Sequence, residues 1–191
     1  MPLPRLGVIV GSTRRGRFSE RPAAWIAELA RDSFEVDLLD LRDHPLPFFE
    51  EETSPARAAP QNPAARAWGA RIAACDAFVA TVAEYNHGAT AVLKNAFDYA
   101  YAEWNKKPIG FVAYGGVGGA RAVEHLRLVV IELQMAPIRT AVHLQMADFM
   151  SVMQGKAALS DLPHIVQSGK DMLSQLRWWS DALKLAREDA A

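Results

Sequence analysis

The fold of this chain is decided by residues 6–30, which read LGVIVGSTRRGRFSERPAAWIAELA. Residues 6–10 form a short apolar run rich in β-branched side chains, which predicts a buried strand. Residues 22–30 have helical spacing, and a proline is tolerated near the start of a helix. A strand, a polar turn and a helix in immediate succession form a βα unit, from which parallel sheets covered by helices are built.

The same alternation continues along the chain. Apolar runs predict strands at residues 34–41, 76–82, 108–114 and 138–144, and helical spacing predicts helices at 64–74, 90–104, 118–133 and 162–186. We find no internal repeat and no boundary of a second domain. The sequence therefore predicts one α/β domain over residues 1–191, a three-layer sandwich whose five-stranded parallel sheet has helices on both faces.

Residues 44–63 interrupt this alternation. They contain five prolines and the acidic run Glu50-Glu51-Glu52, a composition that predicts a long loop. Such a loop could be a substrate lid, a subunit contact or a solvated connection without a role.

Composition limits the classes of function. The 191 residues are 50% apolar and 23% charged, and 21 Lys and Arg nearly balance 22 Asp and Glu, so no strongly basic surface for nucleic acid is expected. The single cysteine, Cys75, cannot form an intrachain disulfide or a metal cluster. No signal peptide and no apolar run of about 20 residues is present. We expect a cytoplasmic protein without a membrane anchor.

Ligands in open α/β sheets lie beyond the carboxyl ends of the strands. The loop after the first strand, residues 11–19, combines hydroxyls, arginines and glycines, which predicts a phosphate site, with a basic surface loop as the alternative. Gly11 and Gly16 have Walker A spacing, but Arg17 and Phe18 replace its lysine and Ser/Thr, so a monophosphate fits best. Ser19 could instead cap the helix, although Pro22 removes one capping partner.

Two further loops follow strands at the same edge. Glu84-Tyr85-Asn86-His87 could form the wall of a crevice for a flat heteroaromatic ligand. Taken singly, each has another interpretation: Glu84 as a surface charge, Tyr85 as a core aromatic, Asn86 as a turn former and His87 as a structural histidine. Residues 115–119 contain four glycines, which would let the backbone approach a planar ligand, or would form only a flexible turn.

These motifs, in this order, resemble the NAD(P)H-dependent FMN reductase family of flavodoxin-like proteins, which includes quinone, azo-dye and chromate reductases. Gly11, Ser12 and Arg14 match its G-S-x-R loop, and residues 84–86 followed by 93–98 match E-Y-N and L-K-N-A-x-D. Residues 121–127 match R-A-x-x-x-L-R, and the likeness extends from residue 6 to about 144. Ala83 departs from the usual proline, which bears on the affinity for FMN more than on binding itself.

The resemblance implies a flavodoxin-like sheet of order 2-1-3-4-5, bound FMN, NADPH or NADH as co-substrate, and a small-molecule acceptor. It also implies a homodimer or homotetramer, for which Trp104, Trp178 and Trp179 could be interface anchors or ordinary core residues. The residues that it assigns to the FMN phosphate are Ser12, Arg14, Arg17, Phe18 and Ser19, and those that it places around the isoalloxazine ring are Glu84, Tyr85, Asn86, His87, Gly115, Gly116, Val117, Gly118 and Gly119.

The predicted function is reduction of flavins, quinones or similar acceptors by ping-pong hydride transfer through FMN. Because the cofactor would carry the chemistry, no catalytic acid or base and no metal ligand is assigned. Two alternatives remain: a flavodoxin-type electron carrier that does not use nicotinamide, and a regulator that binds a phosphosugar or nucleotide. The formal net charge of −1 argues against a strongly acidic docking surface of the kind that a carrier could use.

Overall fold

The computed structural model describes residues 3–189. Its strands are β1 (Arg5–Val10), β2 (Glu35–Asp40), β3 (Ala77–Ala83), β4 (Pro108–Tyr114), β5 (Ala136–Pro137) and β6 (Val142–Leu144). Its α-helices are α1 (Glu20–Ala30), α2 (Pro63–Ala73), α3 (Ala91–Asp98), α4 (Ala120–Glu132), α5 (Met146–Met153) and α6 (Pro163–Glu188), and a 3₁₀ turn covers Leu159–Asp161.

The sheet is parallel, with the order β2-β1-β3-β4-β5 that is typical of flavodoxin-like folds. Strands β3 and β4 are buried along their whole length, because helices cover both faces. One core lies between the sheet and α2, α3 and α4, and a second lies between the sheet and α1 and α6. The predicted fold and strand order are confirmed.

The predicted fifth strand, residues 138–144, is wrong in its extent. Two short strands, β5 and β6, pair with successive parts of β4 in its place. Between them, the Arg127 guanidinium donates to the carbonyls of Ile138 and Arg139, and the Gln175 side chain accepts from the Thr140 N–H. These side chains satisfy backbone groups that a continuous strand would have paired with β4.

The helix predicted over residues 90–104 is too long, since α3 ends at Asp98. The Trp68 indole donates to the Ala96 carbonyl at 2.8 Å and the Trp104 indole to the Phe97 carbonyl at 3.3 Å, so side chains satisfy carbonyls at the helix end. Trp104 is fully buried in the core, which rules it out as an interface anchor, whereas Trp178 is 64% exposed.

Helix α5 and the 3₁₀ turn were not predicted, and α5 contributes to the site described below. Within residues 3–189, no helix has both the length and the apolar character needed to cross a membrane.

Candidate functional site

The three loops singled out in the sequence follow β1, β3 and β4 and lie together at the carboxyl edge of the sheet. Val10, the last residue of β1, is in register with Thr81, and Ala83 at the end of β3 is in register with Tyr114 at the end of β4. The topology therefore brings residues 11–19, 84–88 and 115–119 to one place.

Two threonines fix the start of the first loop. The Gly11 N–H donates to Thr81 Oγ1 at 3.0 Å, and the Gly11 carbonyl accepts from Thr90 Oγ1 at 2.6 Å. A Cβ at position 11 would lie 2.2 Å from the Thr81 carbonyl oxygen, so no residue larger than glycine fits. These contacts fix the backbone of Gly11, where the loop begins.

The Arg17 side chain links this loop to the end of β2 through hydrogen bonds. Its guanidinium donates to both carboxylate oxygens of Asp40, to Glu20 and to the Ser12 carbonyl, and its side chain is only 2% exposed. The hydrogen bond from Arg17 holds the pKa of Asp40 below its usual value. These four bonds engage most of the five guanidinium N–H groups. A direct contact of Arg17 with phosphate stays a prediction.

Several donors in the loop lack an acceptor among the described residues. The Ser19 hydroxyl is fully buried with no hydrogen-bond partner, and the backbone N–H groups of Thr13, Arg15, Gly16 and Phe18 donate to none. Buried polar groups are nearly always paired, so an orphaned hydroxyl calls for a ligand or water. Together with the start of α1, these donors fit an anion such as the phosphate of FMN.

Ser19 does not cap α1. Its backbone is helical and its side chain makes no capping bond, so that alternative is wrong. The hydroxyl lies beside the Tyr114 phenol and lowers its pKa, but the two groups fall outside the geometry of a hydrogen bond. Burial raises the pKa of Tyr114 to about 12, which keeps this side chain a neutral hydrogen-bond donor.

Residues 85–88 form a tight turn. The N–H and carbonyl of Tyr85 both bond to Gly88, at 2.9 and 3.0 Å, while Asn86 and His87 adopt positive φ values of 49° and 70°. Asparagine and histidine adopt this conformation more often than most residues do, although any side chain makes it costlier than it is for glycine. The side chains of Tyr85, Asn86 and His87 are exposed. Asn86 is thus a turn former, and its contact with a cofactor stays a prediction.

Glu84 caps α4 from another loop. Its carboxylate accepts from the Arg121 guanidinium at 2.7 Å and from the backbone N–H groups of Arg121 and Ala122 at 3.2 and 3.4 Å. Burial alone would raise the pKa of Glu84, but the Arg121 hydrogen bond and the helix N–H groups lower it. Its side chain is 3% exposed, so the surface-charge alternative is wrong. Any contact of Glu84 with the ring stays a prediction.

The glycine-rich loop after β4 is held in place. Gly119 has a φ of 72°, and a Cβ there would lie 2.7 Å from that of Ala113. The Gly118 carbonyl lies 2.9 Å from His143 Nδ1. Gly116 and Val117 are exposed, and a Cβ at position 116 would meet nothing within 4 Å. The backbone at Gly116 therefore borders open space that a planar ligand could enter, whereas Gly115 packs against Glu84.

Two clefts meet at these loops. A smaller one, about 240 Å³, is lined by Arg14, residues 16–18, 83–85 and 114–115, Phe149 and Met153. A larger one, about 620 Å³, is lined by residues 12–14, 46–48, 85, 90–92 and 95. Arg14 and Tyr85 line both clefts, so the two lie side by side.

Sequence reasoning missed the aromatic wall of the smaller cleft. Phe18, Tyr114 and Phe149 form a cluster with ring centroids 4.8 to 5.6 Å apart. Phe149 comes from α5, beyond the last predicted strand, and the sequence gives no signal that places this helix beside the β1 loop. Residues 46–48 of the predicted loop at 44–63 line the larger cleft, and whether this loop acts as a lid or a subunit contact stays a prediction.

Comparison with known proteins identifies the family of the chain. The family model described as NADPH-dependent FMN reductase matches residues 4–148. An NAD(P)H-dependent FMN reductase of Schizosaccharomyces pombe is 36% identical over 147 residues, which cover 74% of each chain. A 2-hydroxy-1,4-benzoquinone reductase of a Burkholderia species is 33% identical over 69% of this chain and 72% of its own.

The likeness extends to solved structures. FerB of Paracoccus denitrificans, described as a flavoenzyme NAD(P)H:(acceptor) oxidoreductase, superposes with a TM-score of 0.64. The match has 21% identity and covers 90% of this chain and 98% of FerB, which supports the fold. The matched residues contain all three loops of the site, and the resemblance found in the sequence is confirmed: the chain belongs to the NADPH-dependent FMN reductase family.

Proposed function

We propose that this protein is an FMN-dependent NAD(P)H oxidoreductase that reduces quinones, flavins or similar small acceptors. The observation that carries the proposal is the loop at residues 11–19, whose unpaired donors surround the start of α1 next to an aromatic cleft. Relatives named as FMN reductases and quinone reductases support the same reaction class.

The loop residues divide into two groups in this proposal. Ser12, Arg14 and Ser19, with the free backbone N–H groups of the loop, would hold the FMN phosphate, because the hydroxyls and N–H groups donate and Arg14 adds a positive charge. Arg17 would act by holding the loop in shape through Asp40 and Glu20.

The other loops would enclose the isoalloxazine ring. Residues 84–87 and the backbone of residues 115–119 would border its edge, while Phe18, Tyr114 and Phe149 provide an apolar wall that excludes water. FMN, when bound, would supply acceptance of hydride from NAD(P)H and delivery of electrons to the acceptor in separate, ping-pong half-reactions. No residue is assigned as catalytic acid or base, and exposed Tyr85 and His87 are the candidates for proton supply to a reduced quinone.

We further propose a homodimer or homotetramer located in the cytoplasm. The exposed indoles of Trp178 and Trp179 on α6 are candidate contacts between subunits.

Anaerobic mixing of the FMN-loaded protein with NADPH and, separately, with NADH tests the reductase proposal. We expect the flavin absorbance to bleach and to recover on addition of a quinone. A flavin that is bound but not bleached by either nucleotide would favour the electron carrier, and a protein that binds no FMN would favour the regulator.

A further inference from the structure

The larger cleft contains an aromatic side chain that the proposed function does not use. Phe48 is 80% exposed, the highest value among the large apolar side chains of the described residues, and it lines this cleft together with Tyr85. An isolated exposed apolar residue is common on protein surfaces. Phe48 differs because the structure fixes its backbone.

Three hydrogen bonds hold the segment on both sides of Phe48. Asn95 donates through its side-chain amide to the Pro47 carbonyl at 2.7 Å and accepts from the Phe49 N–H at 2.9 Å. The Tyr99 hydroxyl donates to the Phe48 carbonyl at 3.2 Å. Asn95 and Tyr99 are both buried, so the supports belong to the core. The backbone at Phe48 is therefore tied to the core, and its ring lies at the rim of the cleft.

The chemistry of the cleft favours a flat and largely apolar ligand. The cleft has apolar surface from Leu46, Pro47, Phe48, Ala91 and Val92, and no carboxylate of residues 3–189 lines it. Arg14 is its single charged lining residue, which is too little positive charge for the pyrophosphate of a dinucleotide, since Arg14 also borders the phosphate loop. A ring with carbonyl oxygens fits this lining better than NAD(P)H does.

The start of α3 adds polar groups suited to such oxygens. Thr90 Oγ1 accepts from the Leu93 N–H, whereas the backbone N–H groups of Ala91 and Val92 have no acceptor within the described part of the chain. Both residues line the cleft, at the positive end of the helix dipole.

We propose that the cleft between Phe48 and Tyr85 binds the electron acceptor, and that Phe48 determines specificity for planar aromatic acceptors such as quinones. This inference rests on the proposed function. Asn95 is a positioning residue that acts through Phe48.

The test uses full-length FMN-loaded protein and two acceptors, 1,4-benzoquinone and ferricyanide, which has no aromatic ring. In Phe48→Ala we expect the KM for benzoquinone to rise about 2- to 13-fold, a range set by the loss of one aromatic contact, while the KM for ferricyanide and the affinity for FMN stay unchanged. Phe48→Tyr keeps the ring and should restore the wild-type KM. Leu128→Ala, which shortens an exposed apolar residue outside both clefts, is the matched control and should change neither value.

Two further measurements make the outcome decisive. Calorimetric binding of 1-naphthol, a planar compound that FMN does not reduce, should weaken in Phe48→Ala by a similar factor. The second measurement is the oxidation of dithionite-reduced protein by benzoquinone, which tests Phe48 without nicotinamide. If NADPH fails to reduce the protein, the proposed function is contradicted, but this measurement still tests the role of Phe48. Three results in Phe48→Ala would each overturn the inference: an unchanged KM for benzoquinone, an equal change in KM for both acceptors, or conversion of the protein to a smaller oligomer.

Discussion

The buried hydroxyl of Ser19 gives a prediction in which two measurements change in opposite directions. The hydroxyl is fully buried without a hydrogen-bond partner, which costs free energy in the protein without FMN. An unsatisfied buried hydroxyl costs about 1–2 kcal/mol, so Ser19→Ala should stabilise the FMN-free protein by about 1 kcal/mol. For a chain of this size, that raises Tm by roughly 2–4 °C.

The same substitution should weaken FMN binding. A hydrogen bond to a charged group contributes about 1.5–3 kcal/mol, so the Kd for FMN should rise about 10- to 100-fold. Thermal unfolding of FMN-free protein and fluorescence titration with FMN measure the two effects. Ser180→Ala is the matched control, because Ser180 on α6 also carries a buried, unpartnered hydroxyl. It should raise Tm without changing the Kd. A Ser19→Ala protein that is less stable, or that binds FMN as tightly as wild type, would refute the reasoning.

Three other predictions concern stability. Burial lowers the pKa of Lys107 to about 8, below the ~10.4 of an unfolded chain, so the folded state loses this proton at a lower pH than the unfolded state does. The difference in free energy of unfolding between wild type and Lys107→Met, measured with urea, should therefore move in favour of wild type as the pH rises from about 8 to ~10.4. A difference that does not change with pH would contradict this. Relief of the positive φ at His87, which costs an L residue roughly 1–2 kcal/mol, outweighs the greater freedom of glycine in the unfolded chain, so His87→Gly should be more stable in thermal unfolding, a gain that His87→Ala should lack. Because Arg121 lowers the pKa of Glu84, Glu84→Gln should lower the free energy of unfolding by about 1–2 kcal/mol at pH 7. This difference from wild type should shrink as the pH falls below ~4.3, where the Glu84 carboxylate takes up a proton. A difference that persists in acid would exclude the ion pair as its cause.

The central strands could be predicted because they are buried on both faces. A strand such as β4 is a continuous apolar run, and its bounds, Pro108–Tyr114, agree with the sequence prediction. The prediction failed at residues 138–144, where Arg127 and Gln175 bind the backbone from other elements. Local pattern contains no information about which remote side chain will satisfy a carbonyl.

Some features of the candidate site could likewise be predicted from the sequence, and others could not. Composition predicts a phosphate loop at residues 11–19, because glycines, hydroxyls and arginines suit an anion, and the structure places that loop at the carboxyl edge of the sheet. The partners of its charged residues were not predictable, since Asp40 lies 23 residues from Arg17 and Arg121 lies 37 residues from Glu84. Phe149 entered the site through α5, whose position depends on packing between distant segments.

The central claim is that the loop at residues 11–19 holds the phosphate of FMN. Calorimetric titration of the FMN-free protein with FMN and with riboflavin, which lacks only the phosphate, tests it most directly. Several charge-assisted hydrogen bonds of about 1.5–3 kcal/mol each should make FMN bind at least about 100-fold more tightly than riboflavin. Equal affinity for the two flavins would contradict the account.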